Sequence, residues 1–309
     1  MMKSIPHPIQ YQGSKRNLAS AILRYFPIGI SSLIEPFAGS AAISIASAAS
    51  HKADKFIIND FNKPLAELLE MIIERPVETA SLYENIWNEQ HADSVEHFYK
   101  VRKEFNRENN PAHLLYLMAR CIKGAIRYNS DGLLNQSPDK RRLGTRPEKM
   151  RSNIYGVSSL LKGKAKFYSL DYREVIAKAK PTDLVYMDPP YQGVCGNRDS
   201  RYFSGISHDD FVTALDELNA KEISYIVSYD GRRGDKVFGE LLPSYLKLTH
   251  IELDAGRSSQ STLLGLNEVT YESLYLSQPL TDRLAIKTFN YQPAESKQYM
   301  LLQAEAQYA

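Results

Sequence analysis

Asp183-Leu184-Val185-Tyr186-Met187-Asp188-Pro189-Pro190-Tyr191 is the stretch from which the fold of this chain is read. Leu184 to Met187 is an unbroken apolar run with the length of a buried strand. Pro189 and Pro190 end it, because proline has no N–H to give to a strand ladder. The strand therefore stops at a rigid step with a carboxylate, Asp188, before the prolines and an aromatic ring, Tyr191, after them. An acceptor beside a π-face suits a planar amine: the carboxylate takes the N–H and the ring stacks on the plane. In an open α/β sheet, ligands gather outside the carboxyl ends of strands. The plainer reading of the same residues is a strand followed by a proline turn.

Upstream, the chain reads as alternating strands and helices. Pro8-Ile-Gln-Tyr-Gln-Gly-Ser-Lys15 leads into a helical pattern over Asn17–Phe26, closed by Pro27. Gly13 and Ser14 make a turn at a helix start, where free N–H groups and Lys15 favour an anion. Leu33 to Ser47 reads as strand, turn and helix. The small residues Gly39, Ser40, Ala41 and Ala42 at the turn let a ligand approach the backbone. The turn lacks the three glycines of a dinucleotide fingerprint and the lysine of a P-loop. Lys55–Asp60 is a second strand ending in an acid, the usual partner of a ribose hydroxyl pair, so this order favours a nucleoside cofactor. Against that stands the reading in which Asp60 or Asn62 caps the helix from Lys63 to Glu74.

From Pro76 to about Gly163 the pattern is different. Helices are expected over Val77–His91, Ser94–Asn106 and Ala112–Ile126, followed by a polar stretch from Arg127 to Met150. His97 to Lys166 holds sixteen Lys or Arg against five Asp or Glu, whereas the whole chain has a net charge of only +2. The basic charge is thus gathered in one part, as on a face presented to a polyanion; a well-solvated helical insert is the alternative. Alternation resumes with a strand at Lys166–Ser169 ending near Asp171, a helix near Arg173–Ala179, and the Asp183–Tyr191 strand. A helix at His208–Asn219, a strand at Ile223–Ser228, a helix near Lys236–Leu242, and strands at Tyr245–Leu253 and Asn267–Leu276 complete it. The polar stretches Gln192–Ser200 and Ala255–Gly265 read as loops. The fold class is therefore α/β: a catalytic domain over 1–75 and 164–280, an inserted, mostly helical domain over 76–163, and an unassigned tail over 281–309. Two cysteines, Cys121 and Cys195, and seven scattered histidines give neither a disulfide framework nor a metal-ligand spacing, and no apolar run has membrane-spanning length. A cytoplasmic protein with no bound metal is expected.

Taken together, Tyr11–Lys15, Glu35-Pro36-Phe37-Ala38-Gly39, Asp60, the basic insert, Asp171 and Asp188–Tyr191 stand in an order that resembles the Dam-like group of DNA adenine-N6 methyltransferases. The resemblance runs from about Ile9 to Leu276. It implies a Rossmann-like sheet, S-adenosylmethionine as cofactor, double-stranded DNA as substrate and a target-recognition role for the insert. It also implies roles for single residues. Tyr11 and Lys15 would contact the cofactor, with Lys15 near its carboxylate end. Glu35 to Gly39 would form the loop under its methionine part, Asp60 would bind the ribose hydroxyls, and Asp171 or Tyr172 would lie by the adenine ring. Gly124-Ala-Ile-Arg-Tyr-Asn129 resembles the recognition hairpin of that group, with Arg127 the first candidate for base readout. Lys123 stands where the family often has Asn. Asn129 and the run Lys140-Arg141-Arg142 are further candidates for DNA contact, although Ser137 to Arg146 does not follow the family pattern. The residues do not distinguish an enzyme that accompanies a cognate restriction endonuclease from one that replicates with a phage or marks a host chromosome.

The chemistry follows from the amine itself. The lone pair of adenine N6 is delocalised into the ring. Accepting its N–H bonds at Asp188 and at a carbonyl of the Pro189-Pro190 step favours a tetrahedral nitrogen, and in-line attack then needs mainly positioning and electrostatic support. The base has to leave the duplex, and Tyr191 would stack on it. An RNA adenine-N6 methyltransferase and a non-catalytic nucleic-acid-binding module on the same fold are the competing readings.

Overall fold

The structure, a computed structural model, describes residues 5–190, 206–233, 236–238, 241–257 and 269–285. Among these, eight strands form one sheet: β1 (Leu33–Glu35), β2 (Phe56–Asn59), β3 (Ala165–Tyr168), β4 (Leu184–Met187), β5 (Ser224–Arg233), β6 (Lys236–Phe238), β7 (Thr249–Arg257) and β8 (Val269–Leu276). Their order across the sheet is β3-β2-β1-β4-β5-β8-β7, with β6 pairing the far end of β5. β1 to β5 run parallel, and β8 and β7 close the sheet in antiparallel fashion. From β1 the chain moves outward through β2 and β3, then returns to β4 and moves outward the other way. The carboxyl ends of β1 and β4 therefore flank a topological switch point, where a crevice opens.

The central strands are apolar because both faces are covered. All four residues of β4 are buried. Leu184 and Tyr186 join the apolar cluster on one face, and Val185 and Met187 join the cluster on the other. On the first face lie α1 (Ala19–Ile22), α2 (Ala42–Ala49) and α3 (Lys63–Glu74), whose apolar residues belong to that cluster. The segment between β2 and β3 is long because α4 (Pro76–Glu89), α5 (Ser94–Glu108), α6 (Pro111–Arg120) and α7 (Pro147–Leu161) follow α3 before the chain returns to the sheet. On the second face, α8 (Tyr172–Ile176) and α9 (His208–Ala220) pack over Val185 and Met187. α10 (Gln278–Arg283) follows β8, so the segment read as a tail from Thr281 begins inside a helix that buries Leu280 and Thr281. Among the described residues no helix is long and apolar enough to cross a membrane.

Several elements differ from the sequence reading, each for an identifiable reason. The helix expected at Lys236–Leu242 is instead β6 at Lys236–Phe238, because β5 runs on to Arg233 and offers backbone partners that outweigh local spacing. The helix expected at Ala112–Ile126 ends at Arg120. Residues Ile122–Gly124 form a separate turn, and Gly124 takes φ +63° where an added Cβ would lie 2.2 Å from the Gln10 carbonyl oxygen. The pattern over Asn17–Phe26 is a short helix between two 3-10 turns rather than one helix. The strand expected from Tyr245 begins at Thr249, after a 3-10 turn at Ser244–Leu246. α7 has no counterpart in the sequence reading. Its signal is Met150, Ile154, Val157 and Leu161, one buried helical stripe behind a proline start, obscured by the charged residues around it. The Ser158 hydroxyl donates to the Ile73 carbonyl at 2.6 Å, pinning α7 to α3.

Leu184 is wholly buried between β1 and β5. Leu184→Ala is expected to cost about 2–5 kcal/mol of folding stability, measured by equilibrium denaturation, through lost apolar burial and a cavity at the sheet centre.

Candidate functional site

A cavity of about 210 Å³ opens at the carboxyl ends of β1 and β4. The sequence reading singled out thirteen residues for cofactor binding or catalysis that the structure describes. All thirteen line this cavity: Tyr11 and Lys15, the run Glu35 to Gly39, Asp60, Asp171 and Tyr172, and Asp188 to Pro190. Tyr191 lies outside the described residues.

The loop after β1 is shaped by a set of local bonds. Gly39 adopts φ +51°, and an added Cβ would press on the Tyr11 ring at 3.1 Å. The Asp60 carboxylate accepts the Gly39 N–H at 2.8 Å and the Asn62 N–H at 2.9 Å, so it ties the loop after β1 to the start of α3. Burial raises the Asp60 pKa to about 6, with those two N–H groups opposing. Asn59, at the end of β2, donates to the Pro36 and Leu170 carbonyls and accepts the Leu170 N–H, lacing together the loops after β1 and β3. Sequence reasoning passed over Asn59; its signal is a polar residue closing an otherwise apolar strand. The Ser14 and Ser40 hydroxyls meet at 2.9 Å and join the N-terminal turn to this wall.

Aromatic rings form the far wall. Phe37 and Tyr172 lie 5.1 Å apart between ring centres, backed by Phe211. The Tyr172 hydroxyl is buried with no hydrogen-bond partner, and so are the Tyr186 hydroxyl and the side-chain oxygen of Asn62, all on residues that line the cavity. Unpaired buried polar atoms cost free energy, so their grouping marks a place for a polar ligand. Asp171 is less available than its sequence position suggests: it caps α8 and holds Arg173 through both oxygens at 3.0 Å.

Charge is concentrated beneath the Pro189-Pro190 step. The Lys15 ammonium lies 2.7 and 2.9 Å from the two oxygens of Asp188 and 3.2 Å from Glu272 on β8. Lys15 is buried and the Asp188 side chain only 21% exposed. Burial alone would push the Lys15 ammonium toward neutrality, but the two carboxylates outweigh it and hold its pKa above the ordinary value. Burial raises the Asp188 carboxyl, against the pull of Lys15. This pairing was not expected: Lys15 was read as a contact for the carboxylate end of the cofactor, whereas its charge is engaged with Asp188 and Glu272 in this structure. Glu35, at the end of β1, accepts the Ser44 N–H at 3.0 Å and the Ser44 hydroxyl. Burial raises its pKa to about 8, with both Ser44 groups opposing.

The segment between α6 and α7 reaches the same cavity through a hairpin. Arg127 to Asn135 folds back on itself, with Tyr128 bridged to Leu134 and the Asn135 N–H donating to the Arg127 carbonyl at 2.7 Å. Tyr128 lines the cavity, and its hydroxyl accepts from Asn62 at 2.8 Å, so the hairpin stands beside Asp60 and its loop. Arg127 is exposed on the hairpin. Asn129 is occupied by the turn, its oxygen accepting the Asp131 and Leu133 N–H groups. Lys123 lies in the preceding 3-10 turn, and its side chain is outside what the structure describes. Lys140 and Arg141 are exposed, while Arg142 pairs with Asp139 at 2.8 Å. The buried Arg120 fixes this loop by donating to the Asp139 and Arg142 carbonyls.

The sequence between Tyr11 and Gly256 matches the family described as D12 class N6 adenine-specific DNA methyltransferase over residues 11–256. The chain belongs to this family. It is 25% identical over 228 residues to a DNA adenine methylase of Serratia marcescens, covering 72% of this chain and 79% of that protein. It is 26% identical over 265 residues to the retron Ec67 DNA adenine methylase of Escherichia coli, covering 81% of this chain and 84% of that protein. It is also 28% identical over 236 residues to the modification methylase StsI of Streptococcus sanguinis, covering 73% of this chain but only 35% of that larger protein. The protein is therefore a DNA adenine methyltransferase, and the family description names DNA rather than RNA.

The buried Glu35 gives a pH test of this geometry. An unfolded glutamate ionises near 4.5, whereas the folded carboxyl keeps its proton to about 8. The folded state thus binds more protons across that window, and stability falls as pH rises through it. Glu35→Gln removes this slope. The wild type is expected to lose more denaturation midpoint between about pH 5 and about pH 8 than Glu35→Gln does.

Proposed function

We propose that the cavity binds S-adenosylmethionine and that Asp188, with the carbonyl of Pro189, receives the amino group of an adenine extruded from double-stranded DNA. The observation that carries this reading is the position of Asp188 at the β1–β4 switch point, bordering the same cavity as Asp60, Phe37 and Tyr172. The donor set suits a nucleoside bearing a cationic sulfur. Asp60 would take the ribose hydroxyls, Phe37 and Tyr172 the adenine faces with the orphan Tyr172 hydroxyl as a polar contact, and the loop from Glu35 to Gly39 the amino-acid end. When bound, S-adenosylmethionine supplies an electrophilic methyl group on a sulfonium.

The residues of this chain supply the rest. Asp188 accepts N–H from the adenine amine, turning its lone pair out of the ring plane and orienting it for in-line attack. Pro189 and Pro190 fix the direction of that carboxylate, since their φ angles are locked. Tyr191, from its place in the sequence, would stack on the extruded base. Residues 1–75 and 164–280 would form the catalytic domain and 76–163 the target-recognition insert. In the insert Arg127 is the base reader, and Lys140 and Arg141 are phosphate contacts; Arg142 and Asn129, being engaged, contribute less. Relatives named modification methylase StsI and type II methyltransferase M.FokI support a cognate restriction endonuclease as partner, and a DNA substrate supports a cytoplasmic location.

The test is a comparison of two acids. Asp188→Asn is expected to lower the turnover of DNA methylation by at least about a hundredfold while donor affinity, by calorimetry, stays within about threefold. Asp60→Asn is expected to show the reverse emphasis, with donor affinity falling about tenfold or more. Equal losses of both quantities in both variants would count against these roles. Separately, Arg127→Ala is expected to weaken binding to the target sequence by about 1–3 kcal/mol and non-target DNA by less, measured by competition.

A further inference from the structure

We propose that Glu272 is a positioning residue for methyl transfer, setting the place and the charge of the Asp188 carboxylate through Lys15. This rests on the reading that Asp188 receives the amine. Three separate parts of the chain converge here: the turn at Lys15–Asn17, the end of β4 and the strand β8. Lys15 Nζ sits 2.7 and 2.9 Å from the Asp188 oxygens, 3.2 Å from Glu272 Oε1 and 3.5 Å from the Gly13 carbonyl. Glu272 Oε1 is itself held by the Ser228 hydroxyl at 2.9 Å, and the Glu272 side chain is only 12% exposed.

Strand alternation explains how the acid arrives there. Leu276 and Leu274 belong to the apolar cluster on the α2 side of the sheet, and Glu272 is the next residue in that row. Leu184, Tyr186 and Asp188 form the equivalent row on β4 and its extension, as do Ile226 and Ser228 on β5. Because β8 is antiparallel to β5, its early residues lie at the carboxyl ends of the parallel strands. Gly231 opposite Glu272 lets β8 come close: a Cβ there would lie 2.5 Å from the Tyr271 carbonyl oxygen.

A lysine spread over both oxygens of one half-buried aspartate makes a closed, neutral pair, which competes with an arriving amine for the same acceptor atoms. A second carboxylate on the far side of the ammonium shares it and leaves the cluster one negative charge in surplus. Asp188 then keeps acceptor strength for the amine. The alternative is that Glu272 only offsets the burial of Lys15, which would influence folding and not turnover.

Glu272→Gln separates the two, because the amide oxygen can still accept from Ser228 and Lys15 and only the charge is removed. It is expected to lower kcat for DNA methylation about tenfold or more, with KM for DNA and Kd for S-adenosylmethionine within about threefold. In a Lys15→Met background Glu272→Gln is expected to cause no further loss, as residues acting through one another are non-additive. Wild-type kcat in Glu272→Gln, or losses that multiply in the double variant, would overturn the proposal. Circular dichroism melting establishes that each variant is folded. Should Glu272→Gln not fold, Ser228→Ala decides the matter: it removes only the hydroxyl holding Glu272, so a fall in kcat of about threefold at unchanged affinities supports the role and an unchanged kcat overturns it. Asp188→Asn run alongside keeps the two readings apart, since full activity in that variant would remove the catalytic assignment itself and not merely the role of Glu272.

Discussion

An ammonium group buried between two carboxylates is the constraint around which the reactive end of this protein is arranged. Removing such charges from water costs several kcal/mol each unless partners are placed with good geometry. Asp188 and Glu272 offset the burial of the Lys15 ammonium, and Lys15 in turn offsets theirs. The three come from the turn at Lys15–Asn17, the end of β4 and the antiparallel strand β8, so they meet only when the sheet is assembled. The buried cluster thereby links correct folding to a correctly placed Asp188 at the mouth of the cavity.

The sheet order supplies the remaining geometry. With β1 and β4 adjacent and their connections running in opposite directions, the loops after both strands face each other across a gap. Small residues at Gly39 to Ala42 keep the backbone low on one side, and the double proline keeps it rigid on the other. Asp60 and Asn59 then lock the first loop from beneath through backbone hydrogen bonds. The Asn62 to Tyr128 bond carries this wall into the inserted hairpin. One short chain of polar contacts thus joins Asp60 through Asn62 and Tyr128 to the hairpin that carries Arg127.

The helices α4 to α7 solve a different problem. Most of their stability comes from buried apolar stripes, as in α7, whose Met150, Ile154, Val157 and Leu161 are buried. Arg120 is the exception: a buried guanidinium that donates to backbone carbonyls rather than to a carboxylate, through Nη1 to Asp139 and Arg142 in the loop and through Nη2 to Ser94 at the start of α5. It holds the basic run in a defined shape and leaves Lys140 and Arg141 in solvent.

By itself the sequence determined the α/β alternation, the buried strand ahead of the Pro189-Pro190 step, and several of the residues that line the cavity, because those features are local: apolar runs, small residues at turns, and acids at strand ends. It also carried the order of motifs from which the family was legible. The tertiary structure alone decided the partners. Lys15 meets Asp188 across 173 positions of chain and Glu272 across a still longer interval, and no spacing rule links residues so far apart. β6 replaces an expected helix because β5 offers it a backbone partner, and the exposed Asn129 is taken up by its own turn, accepting the Asp131 and Leu133 N–H groups. Local pattern reports what a segment buries; which charge stands opposite which, and which edge remains free, depends on the path of the whole chain.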